Sequence, residues 1–322
     1  MVSIGMLTYN QVHYVRQALD GIIMQKVNFR YEVIVGDDAS TDGTQDVLLE
    51  YRDRYPNIFK LILRSENIGA TRNNYDLKYR TTGKYYACLE GDDYWTDENK
   101  LQRQVDFLES HPEYVACVHK CRFVDENGHA VPSQPINGYY SNKEVFTIGD
   151  FERGELPGQT ATLMYRNIFL DREKDYSILY KANSAIGDKT IILLLTSMGN
   201  IYNMDCVMSC YRFIRNVDGS NVSSGFNSRN HRDELMEYLI ALEQYAKTEL
   251  NTPLDMSKKK KDYFVAAVTV WLKNPSRANK QIVDHMYELG GKSWSYLLLE
   301  YRVILTKLFG WKILKKDIHI RV

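Results

Sequence analysis

The 322-residue chain lacks any apolar run near the ~20 residues that a membrane-spanning helix needs. It also lacks an excess of charge: 41 Lys and Arg balance 41 Asp and Glu, and no basic face marks the first half. That balance argues against a general nucleic-acid binder. Its five cysteines are odd in number and are not spaced like a disulfide framework. The start shows no signal-peptide pattern, so a reducing cytoplasm is the expected compartment, where the Asn221-Val222-Ser223 sequon carries no meaning. No G-x-G-x-x-G or G-x-x-x-x-G-K-[ST] follows any strand-like run, which sets aside a dinucleotide fold and a P-loop NTPase. Neither an internal repeat nor a long low-complexity segment is found.

What the chain has is acid at the ends of apolar runs. Tyr85-Tyr86-Ala87-Cys88-Leu89 reads as a buried strand and stops in Glu90-Gly91-Asp92-Asp93. Carboxylates crowded so closely repel one another, and solvation or a cation must offset this. Two readings stand for that turn alone. One is a Mg²⁺-type site that receives a diphosphate, since such ions take one or two carboxylates plus phosphate oxygens. The other is a solvated acidic turn before the helix that Asp97 and Glu98 open.

The neighbouring segments weigh on the choice. Val2 to Leu7 reads as a strand ending in Thr8-Tyr9-Asn10, and Val12, Val15, Leu19 and Ile22 follow at helical spacing. Tyr31 to Val35 is a second strand, ending in Asp37-Asp38. Turn and cap residues Ser40-Thr41-Asp42-Gly43-Thr44 lead into a helix over 45–55. Further strands are expected at 60–63, 114–124, 160–165, 200–202 and 207–213. Helices are expected around Arg72 and Asn73, over 98–110, and over Ile191 to Leu195 with Asp188 at its start. Alternating strands and helices mean βαβ units and a parallel sheet. Ligands of such sheets bind at the carboxyl ends of the strands. Three strand ends here carry Thr8-Tyr9-Asn10, Asp37-Asp38 and Glu90-Gly91-Asp92-Asp93, which favours a metal-and-nucleotide site. The segment from about 128 to 158 is looser and polar, with Pro132, Pro135 and Gly138-Tyr139-Tyr140; it is expected to cover the sheet edge or an acceptor cleft. From about Arg229 the composition turns to helix formers, with helices at 229–250, 258–273, 276–289 and 293–309 broken at Pro253 and Pro275.

With these motifs in order, the sequence resembles a family 2 glycosyltransferase over about residues 1–215. The resemblance is carried by Thr8-Tyr9-Asn10, the Asp37-Asp38-Ala39-Ser40-Thr41-Asp42-Gly43-Thr44 block, Asn67-Ile68-Gly69 with Arg72-Asn73, Glu90-Gly91-Asp92-Asp93, Gly187-Asp188 and Tyr211-Arg212. It implies an α/β GT-A fold: a Rossmann-like, mostly parallel sheet with helices on both faces, plus a C-terminal helical region. The expected division is a nucleotide-sugar-binding catalytic domain over 1–225 and a helical region over 226–322 for acceptor, subunit or membrane contacts. It also implies an inverting, metal-dependent transfer of one sugar from a nucleotide-diphospho-sugar, most simply a UDP-sugar, to a glycan or lipid-linked glycan. Bacterial capsule or O-antigen assembly is the family's analogous setting.

By the same resemblance, Asp92 and Asp93 hold Mn²⁺ or Mg²⁺. Glu90 stands where the family usually has Asp, and its longer side chain suits ribose or water. Asp38 accepts from the base imide, with Asp37 sharing that role, and Tyr9 packs on the base. Thr8, Asn10 and Gly91 complete the nucleotide contacts, and Arg72 reaches a phosphate or orders the acidic cluster. Asp188 is the general base, although an Asp at a helix start also acts as a cap. Trp95, Tyr211 and Arg212 are candidates for the diphosphate or acceptor side.

Other signals carry less. Cys117, Cys121, Cys206 and Cys210 have spacings seen in zinc sites, but they sit in strand-like apolar runs where core cysteines are common. Tyr139, Tyr140 and Tyr94 with Trp95 are candidates for stacking on sugars. Lys258 to Lys261 reads as a membrane or acidic-partner patch, or as a solvated helix start. The tail from Lys307 to Lys316 mixes aromatics, aliphatics and cations, which suits peripheral contact with the inner membrane face, docking on the helical region, or a homodimer. The rival functions are a nucleotidyltransferase, which Thr8-Tyr9-Asn10-Gln11 does not equip with a phosphate loop, and a non-catalytic sugar-nucleotide-binding scaffold.

Overall fold

The structure is a computed structural model, and it describes residues 1–131, 140–214, 231–311 and 317–320. Pro132, Pro135, Gly138 and Tyr139, the sequon at Asn221 and the tail from Lys312 to Lys316 lie outside the described residues. The chain divides into two compact units, residues 1–221 and 222–322.

The first unit is built on one sheet. Strands β1 (Val2–Thr8), β2 (Tyr31–Asp37), β3 (Phe59–Leu63) and β4 (Tyr85–Glu90) run parallel. They alternate with helices α1 (Val15–Ile23), α2 (Thr44–Arg54) and α3 (Ala70–Tyr79). Strands β5 (Tyr94–Trp95), β6 (Tyr114–Val124), β7 (Val145–Phe146), β8 (Met164–Arg166) and β9 (Asn200–Arg212) complete it, in the order β3-β2-β1-β4-β8-β6-β9-β5, with β7 also on β9. Helices α4 (Lys100–Ser110), α5 (Ile148–Glu152), α6 (Ile178–Lys181) and α7 (Asp188–Thr196) are interspersed with the later strands.

The near-continuous apolar runs of β1, β2 and β4 are what a sheet covered on both faces requires. Their side chains, Ile4, Met6, Val33, Val35, Ala87 and Leu89 among them, form one core with Leu19, Ile22, Leu48, Leu101 and Leu108 from the helices. Each fully buried Leu, Ile or Val contributes about 1.5–3 kcal/mol. Register then decides the function of this edge. Thr8 pairs with Asp37, and Leu7 pairs with Glu90, so three strand ends finish side by side.

Two expectations differ from the structure. The run 160–165 is not one strand: Thr160–Thr162 forms a 3₁₀ turn, and only Met164–Arg166 pairs, antiparallel to both β4 and β6. The closing strands at 200–202 and 207–213 are one strand, β9, parallel to β6 with register shifts beside His119 and Lys120. The end of β9 meets the turn after β4, where Arg212 N donates to Asp93.

A buried carboxylate pins the opposite side of β2. Glu32 accepts hydrogen bonds from Ser3 Oγ (2.6 Å), Lys60 Nζ (2.7 Å), Thr82 N (3.0 Å) and Thr82 Oγ1 (2.8 Å). Burial alone raises its pKa, but these donors outweigh it and hold the carboxyl down to about 2. A depressed carboxylate stabilises the fold above its unfolded pKa, ~4.3. That contribution is lost as pH falls from about 4 towards 2. Glu32→Gln should therefore cost stability at neutral pH and flatten the acid limb of a urea-midpoint-versus-pH curve over that window. An unchanged acid limb in the variant removes Glu32 from the account.

The second unit contains helices α8 (Arg232–Thr248), α9 (Ser257–Lys273), α10 (Arg277–Leu289) and α11 (Trp294–Phe309). Their core is Met236, Phe264, Ala267, Val268, Val283, Met286, Tyr296, Leu299 and Val303. Phe264 and Tyr296 meet edge to face at 5.0 Å. Ser276 caps α10 by accepting from Asn279 N, directly after Pro275. Lys260, from the lysine run, is ion-paired at 2.6 Å with Glu243 and is not a free cation.

Candidate functional site

The exits of β1 and β2 are sewn together by the sequence block that looked like turn chemistry. Asn10 N donates to Ser40 Oγ, Gln11 N to Thr44 Oγ1, Val12 N to Asp42 Oδ2, and Thr41 N to Asn10 Oδ1. Ser40, Asp42 and Thr44 thus spend their side chains holding two loops in register. Asp37 is consumed in the same way. It is fully buried, and its oxygens accept from Thr8 Oγ1, Ser40 Oγ, Ser40 N and Gln45 Nε2. A carboxylate has about four acceptor positions, so Asp37 keeps none for a base. Its expected share in nucleotide contact is corrected to a structural role, and Thr8 Oγ1, its partner, is occupied with it.

Asp38 differs. Each oxygen accepts one backbone N–H, from Ile68 (2.9 Å) and Gly69 (3.0 Å), and each retains an acceptor position. The Asn67-Ile68-Gly69 loop is thereby tied to the end of β2. Tyr9 is partly exposed beside it, on the same edge. Arg72 is exposed on α3, with its guanidinium 4.7 Å from the Tyr180 ring centre. It lines a cleft of about 670 Å³ with Arg64, Tyr75, Arg80 and Tyr180.

The turn after β4 needs its glycine. A Cβ on Gly91 would lie 2.3 Å from Gln11 Oε1 and 2.9 Å from Thr8 Cγ2. The three carboxylates beside it have different surroundings. Asp93 is buried, accepting from Arg212 N (2.8 Å) on one oxygen and Gln159 Nε2 (2.6 Å) on the other. Glu90 has a long contact of 3.5 Å from the same Gln159 amide. Among the described residues no side chain donates to the half-buried Asp92 carboxylate. Burial pushes the pKa of all three up, and their mutual repulsion adds to it for Glu90 and Asp93. For Glu90 the Asp92 and Asp188 charges both contribute. Asp188 therefore lies within electrostatic reach of the acidic turn, exposed at the first turn of α7. Tyr140 and Tyr211 border the same cluster, where burial and the carboxylates raise their hydroxyl pKa values.

Among the described residues no three His, Cys, Asp or Glu side chains are arranged to hold a metal by themselves. A hard cation that shares its shell with a diphosphate needs only one or two protein carboxylates. The all-oxygen donor set and the Asp92 carboxylate, to which no described side chain donates, fit such an ion, with Asp92 the better placed of the expected pair.

Two expected site residues are buried and bonded within the protein. Trp95 is buried, its indole N–H bonds Ala161 O at 3.0 Å, and Lys100 Nζ sits 4.0 Å from its ring centre. It follows Tyr94 on β5, and the pleat turns it into the core, so it stacks on no sugar. Arg212 is buried too. Its Nε donates to Asp92 O, Nη1 to Asp125 O and Glu126 O, and Nη2 to Gln17 Oε1. Its guanidinium lies over the Tyr14 and Tyr94 rings, so it organises the acidic turn instead of facing a diphosphate. Gln159, which no sequence motif singled out, links Glu90 and Asp93 to the 3₁₀ turn through Ala161 N.

Residues 3–174 match the family model described as glycosyl transferase family 2. The chain belongs to glycosyl transferase family 2. An uncharacterized protein of Mycobacterium tuberculosis is 48% identical over 127 residues, 39% of this chain and 37% of that protein. The match thus spans little more than a third of that relative's length. A putative teichuronic acid biosynthesis glycosyltransferase of Bacillus subtilis, TuaG, is 26% identical over 225 residues, covering 69% of this chain and 82% of the relative. Among solved structures, Staphylococcus aureus TarS 1–349 in complex with UDP-GlcNAc superposes with a TM-score of 0.61 at 16% identity, over 95% of this chain and 84% of that one. The mannosyltransferase PcManGT of Pyrobaculum calidifontis, in complex with GDP-Man and Mn²⁺, gives 0.53 at 16% identity, over 97% and 87%. These likenesses bear out the α/β GT-A fold with added C-terminal helices.

Proposed function

We propose that this family 2 member is an inverting glycosyltransferase that moves one sugar from a nucleotide-diphospho-sugar to a glycan or lipid-linked glycan. One observation carries the reading: Asp38 and the acidic turn follow strand ends that finish side by side, and the Asp188 charge at the start of α7 acts on Glu90 of that turn. UDP is the simplest nucleotide, and polysaccharide assembly at the cytoplasmic membrane face is the setting. The teichuronic acid biosynthesis role given to TuaG supports the polymer, and the UDP-GlcNAc of the TarS complex supports the donor. Residues 1–221 then form the catalytic domain, and the helical unit serves acceptor, subunit or membrane contacts.

In this reading Tyr9 packs on the base, and Asp38 accepts its imide N–H. Glu90, held loosely by Gln159, faces ribose. Arg72 reaches the donor from α3. Asp92 holds Mn²⁺ or Mg²⁺, which when bound neutralises charge building on the leaving diphosphate. Asp93, fixed on both oxygens, keeps Asp92 in place. Asp188 takes the proton of the acceptor hydroxyl as that oxygen attacks the anomeric carbon. Tyr140 and Tyr211 shield the reacting region from water.

Thermal shift with UDP-, GDP- and dTDP-sugars, with and without Mn²⁺, tests the donor assignment. At a hundredfold excess over Kd the matching donor should raise Tm by on the order of 5 °C. Asp92→Asn should lose the manganese-dependent part of that shift while the ligand-free Tm stays within about 2 °C of wild type. Donor stabilisation that ignores both metal and Asp92 would overturn the cation assignment. The anomeric configuration of the product, read by NMR, tests inversion.

A further inference from the structure

The helical unit carries an apolar face that its own core does not use. On α11, Tyr296, Leu299, Val303 and Lys307 are buried, whereas Trp294, Leu298, Tyr301, Leu305 and Phe309 are 49–76% exposed. At 100° per residue the exposed five fall within about 80° of arc, opposite the buried four. Leu297, Ile304 and Leu308 are half-buried along the rim of that stripe. Within α11 the one charged residue that borders the stripe is Arg302, and the helix's one carboxylate, Glu300, is turned towards Lys280. The exposed side chains amount to about 600 Å² of apolar surface, at or beyond the largest patch of an ordinary monomer.

We propose that this face of α11 seats on the anionic surface of a lipid bilayer. The inference deepens the proposed function, on which it rests for the lipid-linked acceptor, and it moves the membrane contact from the tail to the helix. Part of the tail is committed inward: Lys307 Nζ bonds Asp317 Oδ1 at 2.6 Å and Ile318 O at 2.7 Å, and Lys273 lies 5.7 Å from the Trp311 ring centre. Charge selects the occupant. Residues 222–322 hold 17 Lys and Arg against 11 Asp and Glu, so the unit is cationic by six although the chain is neutral. Two copies would bring like charge together, and about 600 Å² from each falls short of the ~800 Å² per partner of a standard interface. An anionic bilayer attracts the same unit. A single ridge of Trp, Tyr, Phe and Leu side chains suits the shallow ~5–10 Å insertion of an interfacial helix, with Arg302 bordering it at headgroup level.

The full chain should co-sediment with vesicles of phosphatidylcholine containing roughly a third phosphatidylglycerol, and less with phosphatidylcholine alone. Binding should fall as salt is raised to ~0.5 M. Leu298→Ser with Leu305→Ser should lower the partition coefficient at least about tenfold at unchanged Tm, because both side chains are exposed. Equal binding by the double variant, or no binding to anionic vesicles at low salt, overturns the proposal. So does a lipid-free dimer that the same substitutions return to monomer, which assigns the face to a second copy. Hydrolysis of the donor sugar without vesicles reads the active site separately: its failure sinks the proposed function, and the double variant should leave it unchanged.

Discussion

Asp188→Asn should bind donor and metal like the wild type and lose transfer by about 10²–10⁴-fold, the usual contribution of a positioned general base. Asparagine keeps the shape of the side chain and the start of α7 but cannot take a proton from an acceptor hydroxyl. The residue is exposed and lies at the first turn of a helix whose following residues, Thr190 to Leu195, are buried. The helix is therefore anchored by its apolar side, and the substitution should move Tm little. The purely structural alternative, a charge or cap at the helix start, predicts turnover intact; because Asn serves a helix start as well as Asp, it is read with Asp188→Ala, which would then cost about 0.5–2 kcal/mol in stability. Donor thermal shift, single-turnover transfer and a denaturation curve on one preparation separate the two. Transfer within threefold of wild type would remove Asp188 as the base.

How far the residues announced this site depends on what each signal measured. The parallel half was legible because β1, β2 and β4 are buried on both faces and read as continuous apolar runs. The four C-terminal helices were legible from the turn in composition to helix formers after about Arg229 and from the breaks at Pro253 and Pro275. Strand β8 was not, because Thr160 to Tyr165 has strand composition throughout, yet Gln159 accepts from Ala161 N and winds its first half into a 3₁₀ turn. The motif residues were found in sequence, but the division of labour among them was not. Asp37 and Asp38 are adjacent and chemically identical. Only the hydrogen bonds show that one is exhausted inside the protein and the other keeps acceptor positions. Asp92 and Asp93 divide in the same way through Arg212 and Gln159, partners 119 and 66 residues distant from Asp93. Contacts of that sequence separation leave no local pattern. Trp95 failed for a simpler reason: the Asp-Asp-Tyr-Trp run has no periodicity to show which aromatic turns inward.

Arg212→Met should be the most damaging single change outside the reacting groups, costing about 3–5 kcal/mol of stability together with donor affinity. The guanidinium ends its four hydrogen bonds on three separate segments: Asp92 O after β4, Asp125 O and Glu126 O after β6, and Gln17 on α1. Methionine fills the volume between Tyr14 and Tyr94 but leaves those acceptors buried without donors, and an unmet buried acceptor costs about 1–3 kcal/mol. The backbone N–H of residue 212 still reaches Asp93, so the acidic turn loses its side-chain anchor and keeps its main-chain one. Arg212→Lys should recover only part of the loss, because an ammonium cannot span the fork that reaches three segments at once. The measurement is a urea midpoint paired with manganese-dependent donor affinity in both variants. If Arg212 instead contacted the diphosphate directly, lysine would restore affinity without restoring stability. If it organises the turn, the two quantities should rise and fall together across Met, Lys and Arg.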